Sequence, residues 1–180
     1  MTPRLQASLV ALIALGGVGW SGLREARAAG DPRLPVVTGK DLNGKPWKAP
    51  ADFPADRTLV ILGYEQEQQA AIDTWTAGMG LTQPANTLPW IEMPVIDEPG
   101  VVMRWIIDTG MQRGIPDREV RGHVWTAYTD RKKFLASCGI DSMLEIHVLV
   151  VARDGRILAL EKGRHTEAAA ARLRKVMGGE

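Results

Sequence analysis

The sequence predicts an α/β fold: a central mixed sheet flanked by helices, with an amino-terminal β-hairpin. Three observations carry this. Thr58 to Gly63 is an apolar run bounded by polar residues, and Gln68 to Met79 follows with apolar residues at helical spacing. Such a run reads as a buried strand, and the 3–4 spacing reads as a helix. Strand and helix patterns then alternate, which argues for parallel neighbours joined by crossovers. The run ends in a β-β pair, Glu145 to Ala152 and Ile157 to Glu161, around Arg153-Asp154-Gly155-Arg156, which adds an antiparallel edge.

In chain order, Val36-Val37-Thr38 and Pro46-Trp47-Lys48 flank Asn43-Gly44, a type I′ hairpin signal. Ala49 to Asp56 holds two prolines and reads as a loop. Trp90 to Ile96 is a strand in which Pro94 predicts an edge or bulged position. Val101 to Thr109 is a helix stopped by Gly110 and Gly114, Pro116 to Arg121 a charged connection, and His123 to Tyr128 a strand. Asp130 is placed to cap a helix that runs to Cys138 and ends at Gly139. Thr166 caps the last helix, Glu167 to Met177, whose acid-first, base-last order suits the helix dipole. Trp75, Trp105 and Trp125 fall at core positions, while Trp47 and Trp90 lie near chain turns and read as groove-lining.

The 180 residues suffice for one domain plus a leader. Residues 1–28 read as a secretory signal: Arg4, an apolar run from Leu9 to Val18, and Ala26-Arg27-Ala28 as the cleavage site. That run is shorter than a membrane-spanning helix requires, which favours a cleaved leader over an anchor and no span in the mature chain. The expected location is periplasmic or secreted, and the domain spans 34–177. Net charge is +1, with no basic cluster interleaved with aromatics, so nucleic-acid binding is not expected. The lone Cys138 excludes an internal disulfide and a CxxC pair. No phosphate-binding glycine loop and no nucleophile elbow is present, and nothing calls for a cofactor.

The segments LPVVTGKDLNGKPW, DRKKFLASCGI and HVLVVARDGRILALEKG, taken with the element order, resemble the thioredoxin superfamily. The nearest branch is that of secreted TlpA-like and alkyl-hydroperoxide-reductase/thiol-specific-antioxidant-like domains. The resemblance implies a thioredoxin-like fold over about residues 34–177. It also implies a reactive cysteine after the first central strand and a cis-proline before the strand leading into the DG hairpin. Here those places hold Gly63 to Gln69 and the neighbourhood of Ile146, with neither Cys nor Pro. The family's catalytic residues are therefore not carried over. Thioredoxin-like assembly factors without the active pair exist, the mitochondrial ATP-synthase assembly factors among them. The expectation is a non-catalytic binding or assembly module with a protein partner, using the groove where the active site would be.

Candidate groove residues are Glu65, Gln66 and Gln69 on one side, with Glu145 and His147 on the other. A His and a carboxylate can act as acid and base or as metal ligands. Two groups are too few for a metal, a third would have to come from Glu65 or His123, and no metal site is predicted. His165, just before Thr166 at a helix start, reads as a surface or capping-region residue, and Asp97-Glu98 and Asp117-Arg118-Glu119 read as solvated loops. Cys138 is the one alternative catalytic candidate, as a one-cysteine thiol peroxidase or thiol transferase. Its place beside a helix-ending glycine instead favours a small buried apolar residue.

Overall fold

The computed structural model describes residues 31–178. The predicted leader, residues 1–28, lies outside them. The elements are β1 (Val37–Lys40), β2 (Pro46–Ala49), β3 (Arg57–Gly63), α1 (Gln69–Gly78), β4 (Trp90–Ile96), α2 (Val101–Gly114) and α3 (Arg118–His123). They continue as β5 (Ala127–Tyr128), α4 (Arg131–Cys138), β6 (His147–Ala152), β7 (Ile157–Lys162) and α5 (Glu167–Gly178). A five-stranded sheet runs in the order β5-β4-β3-β6-β7, and β1-β2 form a separate antiparallel hairpin. β3, β4 and β5 are parallel neighbours; β6 runs antiparallel to β3 and β7 to β6. The sheet is mixed, as the sequence predicts.

Side-chain alternation along β3 and β6 splits the core into two layers. Leu59, Ile61, Val148 and Val150 meet Ile72 and Trp75 of α1 and Ala170 and Leu173 of α5. Val60, Leu62, Leu149 and Val151 meet Phe134, Leu135 and Cys138 of α4, together with Trp47 and Phe53 from the amino-terminal segment. Residues of β3 and β6 are buried on both faces, which is why their sequence is continuously apolar. Each fully buried Leu, Ile or Val contributes about 1.5–3 kcal/mol.

Several local expectations are revised. The turn at the first hairpin is closed by Gly44 N–H to the Asp41 carbonyl, one residue earlier than an Asn43-Gly44 type I′ turn requires. The Asp41 carboxylate accepts from the Asn43 and Lys45 N–H groups and recruits the turn, leaving Gly44 to take the left-handed conformation at φ +84°. Residues 118–123 form a helix instead of a connection and strand, because the Asp117 carboxylate accepts from the Glu119 and Val120 N–H groups and caps it. The following strand shrinks to Ala127–Tyr128. Pro94 lies in β4, which is not an edge strand but sits between β3 and the two-residue β5.

The tryptophans divide differently from the expectation. Trp75 is fully buried as predicted, and Trp125 is half-buried and stacks on Trp47. Trp47 and Trp90 do not line a groove. Trp47 is on the inward face of β2, and Trp90, on an internal strand, stacks against His123 with centroids 4.5 Å apart. Trp105 is not core but 66% exposed. α2 turns Ile107, Asp108 and Met111 toward the domain, with the Arg104 guanidinium 4.4 Å from the Tyr128 ring centroid and Asp108 accepting from the Tyr128 hydroxyl. Its apolar stripe is thereby turned to solvent.

Candidate functional site at the carboxyl end of the central strands

In open α/β sheets ligands bind beyond the carboxyl ends of the parallel strands. Here that end is formed by the loop after β3, the end of β4, the start of α4 and the segment entering β6. The β3 loop begins with Gly63, where an added Cβ would lie 2.9 Å from Ile72 Cδ1. Tyr64 follows and points inward, and Gln66–Gln68 make one 3-10 turn. A reciprocal capping box between Glu65 and Gln68 fixes that turn.

Gln68 holds the two walls together. Its Oε1 accepts from Tyr64 N–H at 2.9 Å, and its Nε2 donates to the Met143 carbonyl at 2.7 Å. Gln68 was not among the sequence candidates; the Glu65-x-x-Gln68 spacing was the available signal. Tyr64 and His147 share a buried hydrogen bond of 2.9 Å between Oη and Nδ1. Burial raises the tyrosine pKa, with the Cys138 thiol adding to it. Burial also lowers that of His147, against a smaller opposing pull from Glu145. Both side chains are therefore neutral near pH 7.

Arg131, the first residue of α4, closes the other side. Its Nη1 donates to Glu65 Oε1 at 2.8 Å and to the Tyr64 carbonyl at 3.2 Å; its Nε donates to Asp97 Oδ2 at 2.8 Å. The Arg131 backbone N–H also binds Asp97, at 3.0 Å, which is the largest cause of the lowered Asp97 pKa. Asp97, read from sequence as a solvated loop residue, thus ties β4 to α4.

Of the sequence candidates, Glu145 and His147 do come together. They line a depression of about 170 Å³ with Asp141, Ser142, Leu144 and Lys162, and Lys162 Nζ lies 3.8 Å from Glu145 Oε2. Gln66 is exposed on the turn, while the Gln69 amide turns back to Asp73 on its own helix, at 3.0 Å. His123 lies elsewhere, its Nδ1 2.9 Å from the Trp90 carbonyl oxygen. Among the described residues, no group of three or more His, Cys, Asp or Glu is arranged to hold a metal ion. His165 stands just before the Thr166 cap, half-buried, with its ring edge-on to Trp75 and centroids 5.1 Å apart. Cys138 is 1% exposed, and burial pushes its thiol up to about 12, opposite to what a nucleophilic thiolate needs.

A buried acid lies beside Asp73 and Gln69 of α1. Glu92, in β4, is 7% exposed, and burial with the neighbouring Asp73 raises its carboxyl from 4.5 to about 7.

No family model and no curated protein matches this sequence. Its architecture is nevertheless that of known structures. It superposes on the exposed lipoprotein thioredoxin of Streptococcus pneumoniae strain TIGR4 with a TM-score of 0.53 at 12% identity, covering 79% of this chain and 99% of that one. A thiol-disulfide oxidoreductase from Bacteroides fragilis NCTC 9343 gives 0.50 at 12% identity, over 80% and 98%. The chain has a thioredoxin-like fold. It has that fold without a cysteine in the loop after the first central strand. Among the described residues no helix is long and apolar enough to cross a membrane.

Proposed function

We propose that this chain is an exported thioredoxin-fold protein that performs no thiol-disulfide exchange and serves as a binding or assembly module. One observation carries the reading. The loop that would bear the reactive thiol is closed by Gln68, the Tyr64–His147 pair and the Arg131 ion pairs, with no sulfur within it. Such a loop is pre-organised, which lowers the ordering cost of docking. It offers Glu65, Gln66 and the start of α1 at Gln69 on one side, and Glu145 with the His147 depression on the other. Leu144, 91% exposed, next to Glu145 and lining the same depression, supplies an apolar anchor for a protein partner.

The test has two arms. Insulin reduction and peroxide consumption by the purified protein are compared with those of Cys138→Ala; equal, background rates are expected, and a rate above the variant's overturns the reading in favour of thiol chemistry. A photo-crosslinking amino acid is then placed at Gln66 in cells, with Lys175 on α5 as the control position. A discrete adduct from Gln66 alone is expected. Equal labelling from both positions removes the groove as the binding surface.

A further inference from the structure

The depression beside His147 presents one buried donor with nothing to bind. His147 is 5% exposed, and its Nδ1 meets the Tyr64 hydroxyl. A neutral imidazole carries its proton on one nitrogen and accepts at the other. With the proton on Nδ1, the tyrosine O–H would be buried without an acceptor, since the hydroxyl has no other partner among the described residues. With the tyrosine donating, Nδ1 accepts and the ring proton sits on Nε2. This second arrangement satisfies both buried groups, and burial keeps both neutral. Nε2–H is then a donor without a partner among the described residues, on a ring that lines a depression of about 170 Å³.

Glu145 supplies an acceptor on the same wall. A Cβ on Gly163 would lie 2.6 Å from Glu145 Oε1, so the glycine lets that carboxylate fold down against the chain. Its Oε2 stands 3.8 Å from Lys162 Nζ, beyond hydrogen-bond reach. Lys162 is the cross-strand neighbour of His147 and is 71% exposed. Two carboxylates, Asp141 and Glu145, against the one ammonium leave the lining with a net negative charge.

We propose, on the reading of this groove as a binding surface, that the depression takes the side-chain carboxamide of an Asn or Gln on the docked partner. Its carbonyl oxygen accepts from His147 Nε2–H, and its NH2 donates to the Glu145 carboxylate. Three features select this group. A carboxamide is donor and acceptor at once. A carboxylate would instead face Asp141 and Glu145, and an ammonium would face the His147 N–H and Lys162, each contact leaving a polar group unpaired. The carbonyl and one N–H of a primary carboxamide project from the same edge, as when Asn or Gln binds adenine. In a trans backbone peptide they point opposite ways, so one peptide bond cannot meet two groups of one wall. The volume, about 170 Å³, suits a single side chain, whereas small-molecule clefts run to about 300–1,000 Å³.

The test is an NMR titration of protein purified from expression of the full chain, read at the His147 ring and the Glu145 amide. The probes are the N-acetyl methylamides of glutamine, glutamate, lysine and alanine, the last presenting backbone alone. Ring nitrogen shifts of the free protein should show the Nε2–H tautomer. The glutamine probe should bind with a Kd of about 10 mM, as suits so small a ligand, and about tenfold more tightly than the other three. Glu145→Ala, at an exposed position, should weaken it about tenfold with the fold intact. An Nδ1–H tautomer overturns the proposal, as does an equal response to the alanine probe or a preference for glutamate or lysine. So does a glutamine response that survives Glu145→Ala, or none at ten times the expected Kd. In cells, the adduct from Gln66 should fall with Glu145→Ala. An undiminished adduct overturns the carboxamide contact and leaves the groove standing as a docking surface. A selective glutamine response with no adduct from Gln66 leaves the carboxamide site standing and removes the groove as a protein-docking surface.

Discussion

The Tyr64 hydroxyl lies 2.9 Å from Nδ1 of His147, joining the end of β3 to the start of β6 inside the domain. Both side chains are buried, 5% exposed each. Tyr64→Phe should therefore cost about 1–2 kcal/mol in denaturant unfolding, since the ring nitrogen is left unsatisfied. The double variant Tyr64→Phe/His147→Phe should recover part of that loss. Strict additivity of the two single changes would show that the bond carries no coupling energy.

Glu92 gives the fold an unusual pH dependence. Its folded pKa is raised to about 7, so the folded chain holds the proton more tightly than the unfolded chain, whose value is near 4.5. Below 4.5 both states are protonated and the residue adds no slope. Between 4.5 and about 7 only the unfolded state loses the proton, so stability falls as pH rises, by up to about 3 kcal/mol in total. Glu92→Gln should remove this slope and stabilise the protein at pH 8. His147 acts in the opposite sense. Its lowered pKa means the unfolded chain takes up the proton first as pH falls through 6.5, so acid destabilises the fold through this residue. Thermal melts of Glu92→Gln across pH 4 to 8 should lack the loss above pH 4.5 and keep the acid-side loss, to which carboxylates with lowered pKa such as Asp97 also contribute.

Arg131 tests whether the β3 loop is fixed from outside. Arg131→Ala removes its bonds to Glu65, to Asp97 and to the Tyr64 carbonyl, and should cost about 1 kcal/mol because the group is partly exposed. The sharper readout is hydrogen exchange at Glu65, Gln66 and Glu67, which should quicken while the β6 amides keep their protection. Arg131→Lys should rescue little, because one ammonium cannot span both carboxylates.

Cys138 should resist alkylation in the folded protein and react at once in denaturant. Cys138→Ala should lower stability by about 1–2 kcal/mol through the cavity left against Phe134 and its neighbours. Rapid labelling of the native thiol would show that its pocket opens.

The layer order was legible because β3 and β6 are continuously apolar, and two of the helices, α4 and α5, carry capping residues that the sequence shows. Asp130 and Thr166 do cap helices, accepting from the N–H groups of Lys133 and Ala169. What escaped were features made by polar side chains acting at a distance. The helix after Asp117 depends on that one carboxylate, and α2 is oriented by Arg104 and Asp108 meeting Tyr128, a residue about twenty positions on. Hydrophobic periodicity finds the stripe on α2 but cannot say which way it faces. At the candidate site, the spacing of Glu145 and His147 placed them together correctly. Gln68 and Arg131, which bind the loop to its surroundings, have contacts 75 and 66 residues away that no local pattern encodes.

The Trp47 and Trp125 rings lie 5.1 Å apart at an interplanar angle of 11°. One belongs to the amino-terminal hairpin and the other to the body of the domain; Gly39, paired with Trp47 within the hairpin, leaves room for that ring, and a Cβ there would also lie 3.0 Å from the Thr126 carbonyl oxygen of the body. Two indoles so close couple their electronic transitions, so the docked state carries its own optical signature. A circular dichroism couplet that fades before the sheet melts would reveal the hairpin leaving as a separate cooperative unit, and would put a free energy on that first step.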